Sequence, residues 1–288
     1  MTIHEDMQED DIYKYIDDLN ILEIVLMTSL LHEYDFHAHV PNDIGVNDKF
    51  LPPHTFQMQE KLDSVSKWTQ DNLMKLNSRK SNYIFFTRTM DKNYQTRLNM
   101  GGQKIDRQEC VKILGIWLSE DISDWSLNTS KICQKAFSRV GMLSKLKYIG
   151  VSIEDLIEIY CLFIRSTAEY CSAVFGPSLT TEQDRKLTNI EKTSLRIILK
   201  ENYVSYEAAL EMCALTSLSE RRAAHLLAFA RRTSRHPVYG PKMFPHNPQI
   251  NDIQDLRDRE KFQVNFSRGA AYYNSTIPTA QRLSNQDG

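Results

Sequence analysis

No stretch of this 288-residue chain approaches the roughly 20 consecutive apolar residues that a bilayer span requires. The first residues are acidic rather than a basic stretch leading into an apolar one, so no secretion signal is visible. An excess of one charge is also missing: 35 basic side chains face 37 acidic ones, a formal net charge of −2. No global field therefore draws the protein to nucleic acid or anionic lipid, and any polyanion binding has to come from a local patch. Cysteine is too sparse and irregular for a disulfide framework. Cys110, Cys133, Cys161, Cys171 and Cys213 are odd in number, widely spaced and set in apolar surroundings such as Tyr160-Cys161-Leu162-Phe163, the pattern of reduced core thiols. Together these absences predict an intracellular protein, cytoplasmic or nuclear, with no membrane partner. What remains is ordinary globular composition without internal repeats.

The acidic start gives way to Ile12-Tyr13-Lys14-Tyr15-Ile16, a β-branched and aromatic run that stops at Asp17-Asp18 and resumes from Leu19 to Leu26. That alternation predicts a β-hairpin with two carboxylates at its tip. Residues 32–57 hold scattered Pro, Asn, Asp and His and predict a loop. Met58, Leu62, Val65, Trp68, Leu73 and Leu76 then recur at helical spacing. Asn82 to Thr87 reads as a buried strand, Gly101-Gly102 as a tight turn, and Val111 to Leu118 as further strand-forming chain.

Beyond a compositional shift near Ser119 to Leu127 the pattern is helical. Ile132, Ala136, Val140, Leu143 and Leu146 share a face, Ser152 is placed to cap a helix running through Leu156 to Ile164, and Thr180 with Gln183 forms a capping box. That box predicts a helix through Leu199 with Leu187, Ile190, Ser194, Ile197 and Ile198 inward. A further helix is expected from Leu218 to about Arg232. Past His236, the prolines at 237, 241, 245, 248 and 278 predict a mostly extended, partly disordered tail. The fold class is α+β.

Adjacent carboxylates at a hairpin tip can hold divalent cations that activate an attacking hydroxyl and stabilise a leaving oxygen in phosphoryl transfer. Alone, Asp-Asp is more often a solvated turn, and another pair sits at Asp10-Asp11. The order of neighbouring segments changes the reading. Tyr15-Ile16-Asp17-Asp18, then Leu76-Asn77-Ser78-Arg79-Lys80 closing a helix before a strand, then Lys112-Ile113-Leu114-Gly115, resembles the palm of reverse transcriptases from retrotransposons without long terminal repeats. The resemblance continues through Trp125 and the Lys131 to Lys147 helix, Ile164-Arg165-Ser166 with Glu169-Tyr170, Ile190-Glu191-Lys192, Leu195-Arg196-Ile197-Ile198, Leu218-Ser219-Glu220-Arg221-Arg222 and Met243-Phe244-Pro245. It is closest to jockey-like elements.

The resemblance implies an RNA-directed DNA polymerase with Mg²⁺ on Asp17 and Asp18, and with Tyr15 as the aromatic of the same motif. It implies that Asn77 and Lys80 approach the incoming nucleotide, Lys80 at its phosphates, and that Leu114-Gly115 supports the primer end. RNA template and DNA primer are then the partners, and no specific protein partner is evident. Residues 1–122 would be the C-terminal part of the palm, 123–236 a helical thumb and connection-like region, and 237–288 the Pro/Asn-rich tail. Another metal-binding aspartate and the fingers would lie upstream of Met1, so the chain alone is expected to be an inactive fragment.

Arg185, Lys186, Lys192, Arg196, Arg221 and Arg222, with Arg231, Arg232 and Arg235, form a basic cluster suited to tracking phosphates without reading bases. The competing reading is a set of solvated helix faces diluted by Glu191, Glu211 and Glu220. His32, His37 and His39 lie close together, but with no cysteine nearby they fit a loop better than a zinc site. Trp68 and Trp117 read as core anchors. Two alternatives to the polymerase fragment stay open: a noncatalytic nucleic-acid-binding or interaction module, and a decayed element with no selected role.

Overall fold

The computed structural model describes residues 58–73, 81–84, 98–246, 262–264 and 269–286. The predicted Asp17-Asp18 hairpin and the 32–57 loop, with its three histidines, lie outside them. Along the described residues the chain divides into two compact units, the first through Asp124 and the second from Trp125.

In the first unit, helix α1 (Met58–Asp71) turns Leu62, Ser66 and Thr69 inward. Both hydroxyls are satisfied within the helix, Ser66 donating to the Leu62 carbonyl at 2.8 Å and Thr69 to the Ser66 carbonyl at 2.8 Å. The helix stops sooner than its apolar periodicity predicts. Leu73 has a left-handed backbone (φ 56°) and stands exposed, off the buried stripe.

Among the described residues three small sheets follow. Strand β1 (Asn82–Tyr83) pairs in parallel with β4 (Asp106–Arg107), while β2 (Asn99–Met100) and β3 (Gln103–Lys104) form an antiparallel hairpin. Gly101 and Gly102, both at positive φ, make its two-residue turn, a geometry open to glycine at little cost. The 111–118 run is two strands rather than one. β5 (Cys110–Ile113) folds back on β6 (Ile116–Ser119) across Leu114 and Gly115, again both at positive φ. Leu62, Leu98 and Ile105 form a buried cluster among the described residues of the unit, with Tyr83 and Met100 against it. The Gln59 side chain bonds both backbone groups of Asn99 and so acts as one more rung beside β2.

The second unit is helical. Its elements are α2 (Ser126–Tyr148), α3 (Ile153–Ile159), a π-helical stretch (Tyr160–Arg165), α4 (Ser166–Glu169), α5 (Ser172–Phe175), α6 (Thr181–Leu199), α7 (Tyr206–Met212), α8 (Leu218–Ser234), α9 (Tyr239–Met243), α10 (Ala270–Tyr273) and α11 (Thr276–Gln286). The caps explain the boundaries. Ser152, Ser205 and Ser217 each accept a backbone N–H at the start of a helix, and Thr180 with Gln183 and Ser217 with Glu220 close full capping boxes.

Apolar stripes meet inside: Ala136, Val140 and Leu143 of α2, Leu187, Ile190, Leu195 and Ile198 of α6, and Leu218, Leu226 and Ala230 of α8. Ile197, predicted inward, is only half-buried, because Leu195 and Leu199 take the facing positions. Trp125 packs its ring 6.0 Å from Phe175.

Chain beyond Pro237 includes helices, contrary to the predicted extended tail. Ile277 and Ala280 of α11 are buried, and three polar side chains fasten the helix. Thr276 donates to the Val174 carbonyl at 2.9 Å, Gln281 to the Met243 carbonyl at 2.6 Å, and Asn285 exchanges two bonds with the backbone of Phe262. Pro278 does not break this helix, because it occupies the first turn, where backbone N–H groups have no intrahelical acceptor.

Candidate functional site

Glu191 is the centre of a buried polar network in the second unit. It sits on α6 one turn beyond Leu187, on the inward stripe, and is fully buried. A buried carboxylate is costly unless its lone pairs are filled, and here three donors fill them. Tyr160 from the π-helix donates at 2.9 Å, Tyr206 from α7 at 2.6 Å, and the Leu218 backbone N–H at the start of α8 at 3.0 Å. A fourth group, Arg165, holds a guanidinium nitrogen 4.0 Å from the same carboxylate. Burial, reinforced by the negative Glu191, pushes the Tyr160 hydroxyl far above its ordinary pKa, and burial with the Glu191 hydrogen bond does the same for Tyr206.

Arg165 carries the network outward. Its Nε donates to Glu169 at 3.1 Å and its terminal nitrogen to the Thr216 carbonyl. Glu169 in turn takes both Nε and Nη2 of Arg221, the latter at 2.8 Å, a two-point guanidinium–carboxylate pair. Five elements are thereby joined around two carboxylates and two arginines.

The π-helix is what makes this possible. Tyr160 and Arg165 are five residues apart, which on an α-helix would turn them about 140° from one another. A π turn, closed by i→i+5 bonds, brings both to the same side. Its opposite side leaves Leu162 and Phe163 exposed.

The residues predicted as a basic cluster have divergent placements. Arg222 is buried and its guanidinium bonds Asp184, and Arg221 is held by Glu169, so both serve the fold. Lys186 pairs along α6 with Glu182 at 2.7 Å, an exposed contact of the kind worth at most about 1 kcal/mol. Arg185 is exposed. Lys192 lies 4.8 Å from the Tyr206 ring centre and Arg196 5.2 Å from that of Tyr203. These are cation–π contacts that fix two positive charges on neighbouring aromatic faces. Arg231, Arg232 and Arg235 sit exposed at the end of α8, where cations suit the helix dipole.

Comparison with protein-family models, with curated proteins and with solved structures gives no match.

Of the predicted polymerase residues, Tyr15, Asp17, Asp18, Asn77 and Lys80 lie outside the described residues. Gly115 is described, exposed at φ 87° in the β5–β6 turn. Among the described residues no group of three His, Cys, Asp or Glu side chains could hold a metal ion, and no helix is long and apolar enough to cross a membrane. The five cysteines are free thiols, with burial raising those of Cys133, Cys171 and Cys213. Trp68 and Trp117 are half-buried. Sequence reasoning missed the Glu191 node. Its signal was a carboxylate at an inward position of an amphipathic helix.

Proposed function

We propose that this chain supplies the C-terminal palm and helical thumb-like region of an RNA-directed DNA polymerase, the reverse transcriptase of a retrotransposon without long terminal repeats. The observation that carries the reading is Tyr15-Ile16-Asp17-Asp18, followed in order by the Lys80 and Leu114-Gly115 segments. Support comes from two places. The Leu114-Gly115 pair forms a two-residue turn with Gly115 exposed, open to close approach by another chain. In addition, four charged residues from three segments of the resemblance, Arg165 with Glu169, Glu191 and Arg221, are partners in one network. Residues quoted for their sequence pattern, from positions up to 56 apart, have a shared structural use.

In this reading Asp17 and Asp18 would hold Mg²⁺ through hard oxygen ligands, and the ion would supply polarisation of the phosphoryl group and charge stabilisation for the leaving oxygen. Lys80 and Asn77 meet the incoming nucleotide, and Gly115 supports the primer end. The test is primer extension on an RNA template by the chain fused to the upstream fingers and palm of a jockey-like element. Extension should require Mg²⁺ and vanish in Asp17→Asn and Asp18→Asn. Extension that survives both changes, or none from a folded fusion, refutes the proposal.

A noncatalytic nucleic-acid-binding module is the second reading, favoured by the cation–aromatic pairs Lys192/Tyr206 and Arg196/Tyr203. It shares nucleic-acid affinity with the first but predicts no dependence on Asp17.

A further inference from the structure

Two antiparallel stripes of exposed side chains run along one side of the helical unit. On α2, Lys135, Ser138, Met142 and Lys145 recur at spacings of three and four, which sets them on one face, and all are exposed. This helix holds no carboxylate. Past the next turn, Glu154, Glu158, Leu162 and Ser166 recur every four residues along α3, the π-helix and α4, again all exposed, with Phe163 beside Leu162. Arg139 ties the two stripes together, since its guanidinium bonds the Phe163 carbonyl and Thr167. At about 1.5 Å per residue, Met142 then comes level with Leu162, and Lys145 with Glu158.

The middle of this face is apolar, with Met142 47%, Leu162 60% and Phe163 51% exposed. Neighbouring exposed apolar side chains mark contact surfaces, whereas scattered single ones do not. The edges carry opposite charges. Lys135 and Lys145 belong to the α2 edge, Glu154 and Glu158 to the α3 edge, and none of the four forms an ion pair among the described residues. Asp155 is held by the Ser152 cap.

We infer that this face takes a second copy of the chain, as a two-fold dimer through α2, α3 and the π-helix. The inference is independent of the polymerase reading. In a two-fold interface one patch serves both subunits, so each charged edge has to meet its opposite. With the two-fold axis along the helices, α2 of one copy lies over α3 and the π-helix of the other. Met142 then meets the partner's Leu162, Lys145 meets the partner's Glu158, and symmetry makes each contact twice. An axis across the helices instead sets lysine on lysine and glutamate on glutamate, which like-charge repulsion disfavours. A polyanion, whether nucleic acid or anionic lipid, meets the acidic edge as well as the basic one and so does not fit the whole face. The net charge of −2 leaves little repulsion between copies.

The test is sedimentation velocity on the full chain, from about 1 to 100 μM at about 50 mM salt. The mass should rise with concentration from 33.5 kDa to twice that value. Met142→Ser/Leu162→Ser, which removes the apolar centre, should weaken association about 100-fold with an unchanged circular dichroism spectrum. Lys145→Glu alone and Glu158→Lys alone should each weaken it about tenfold, because each homodimer then holds two like-charge contacts. An equimolar mixture of these two single variants should recover dimerisation, since both contacts between unlike copies again pair opposite charges. A chain that stays monomeric at about 100 μM overturns the inference and leaves the face to a different protein. A dimer that neither charge variant weakens, or a mixture that associates no better than its components, also overturns it.

Discussion

Glu191 is a residue whose chemistry is set by the number of donors it meets. A carboxylate offers acceptors on both oxygens, and here two tyrosine hydroxyls and the Leu218 N–H use them. Glu191→Gln keeps the shape but replaces one oxygen with an NH₂ group facing donors, and the Leu218 N–H cannot reverse. The substitution should cost about 1–3 kcal/mol, read as a lower urea midpoint at unchanged m-value. The raised pKa of Tyr160 gives a second handle. A tyrosine whose folded pKa lies above its ordinary value of about 10 keeps its proton after the unfolded chain has lost it. The stabilisation is complete below pH 10 and is lost as the pH rises above it, at about 1.4 kcal/mol per pH unit for one proton. Tyr160→Phe should therefore flatten the alkaline limb of a stability–pH curve, and an identical limb in the variant would show that the hydroxyl is not held by Glu191. Such a node is hard to read in advance because no window of sequence contains it: its members lie at 160, 165, 191, 206 and 218. The sequence reading set Glu191 among solvated helix faces, whereas it is fully buried one turn beyond Leu187.

At the scale of elements, local signals carried furthest where the chemistry is local. Thr180-x-x-Gln183, Ser152 and Gly101-Gly102 each bond or bend within four residues, and the structure places a capping box, an N-cap and a hairpin turn there. The π-helix had no such signal, since Tyr160 to Arg165 is compatible with ordinary helix; in the structure both its ends face Glu191, Tyr160 by a hydrogen bond at 2.9 Å and Arg165 at 4.0 Å. α11 was misread because Pro278 was counted as a breaker without regard to its place in the first turn. Inserting one alanine after Leu162 would place Tyr160 and Arg165 six residues apart, about 120° from one another on an α-helix, and swing them apart. We expect a loss of about 3–5 kcal/mol, the scale for breaking a buried ion pair, against at most about 0.5 kcal/mol for Leu162→Ala at the same exposed position. Equal losses in thermal melts would mean that side-chain contact, not register, matters there. Gly240 supplies a steric counterpart. A Cβ at this position would stand 2.5 Å from the Ser234 carbonyl oxygen, a backbone atom that cannot swing away. Gly240→Ala should cost about 1–3 kcal/mol through forced separation of α9 from the end of α8.

At the scale of the whole molecule, hydrophobic patterning separated a mixed α and β first part from a helical second part, because period-2 and period-3.6 stripes differ along any stretch of sequence. It did not foresee that chain past Pro237 belongs to the helical core. Ile277, Ala280 and Phe262 are buried, and α11 is fastened through Thr276, Gln281 and Asn285. Those contacts make the boundary of the helical unit testable. A fragment spanning residues 125–288 keeps the α2, α6 and α8 stripes and the α11 hooks, and should unfold in one cooperative urea transition. A fragment ending at residue 236 loses α11 and leaves the partner surface of α8 bare. Burial of Ile277 alone is worth about 1.5–3 kcal/mol, and each lost hydrogen bond about 0.5–1.5 kcal/mol more. Against a total stability of about 5–15 kcal/mol, that loss should broaden the transition and expose surface that binds a hydrophobic dye. If the shorter fragment unfolds at the same midpoint with the same slope, the chain beyond Pro237 is an appendage. If it does not, the Pro/Asn-rich segment is part of the helical core.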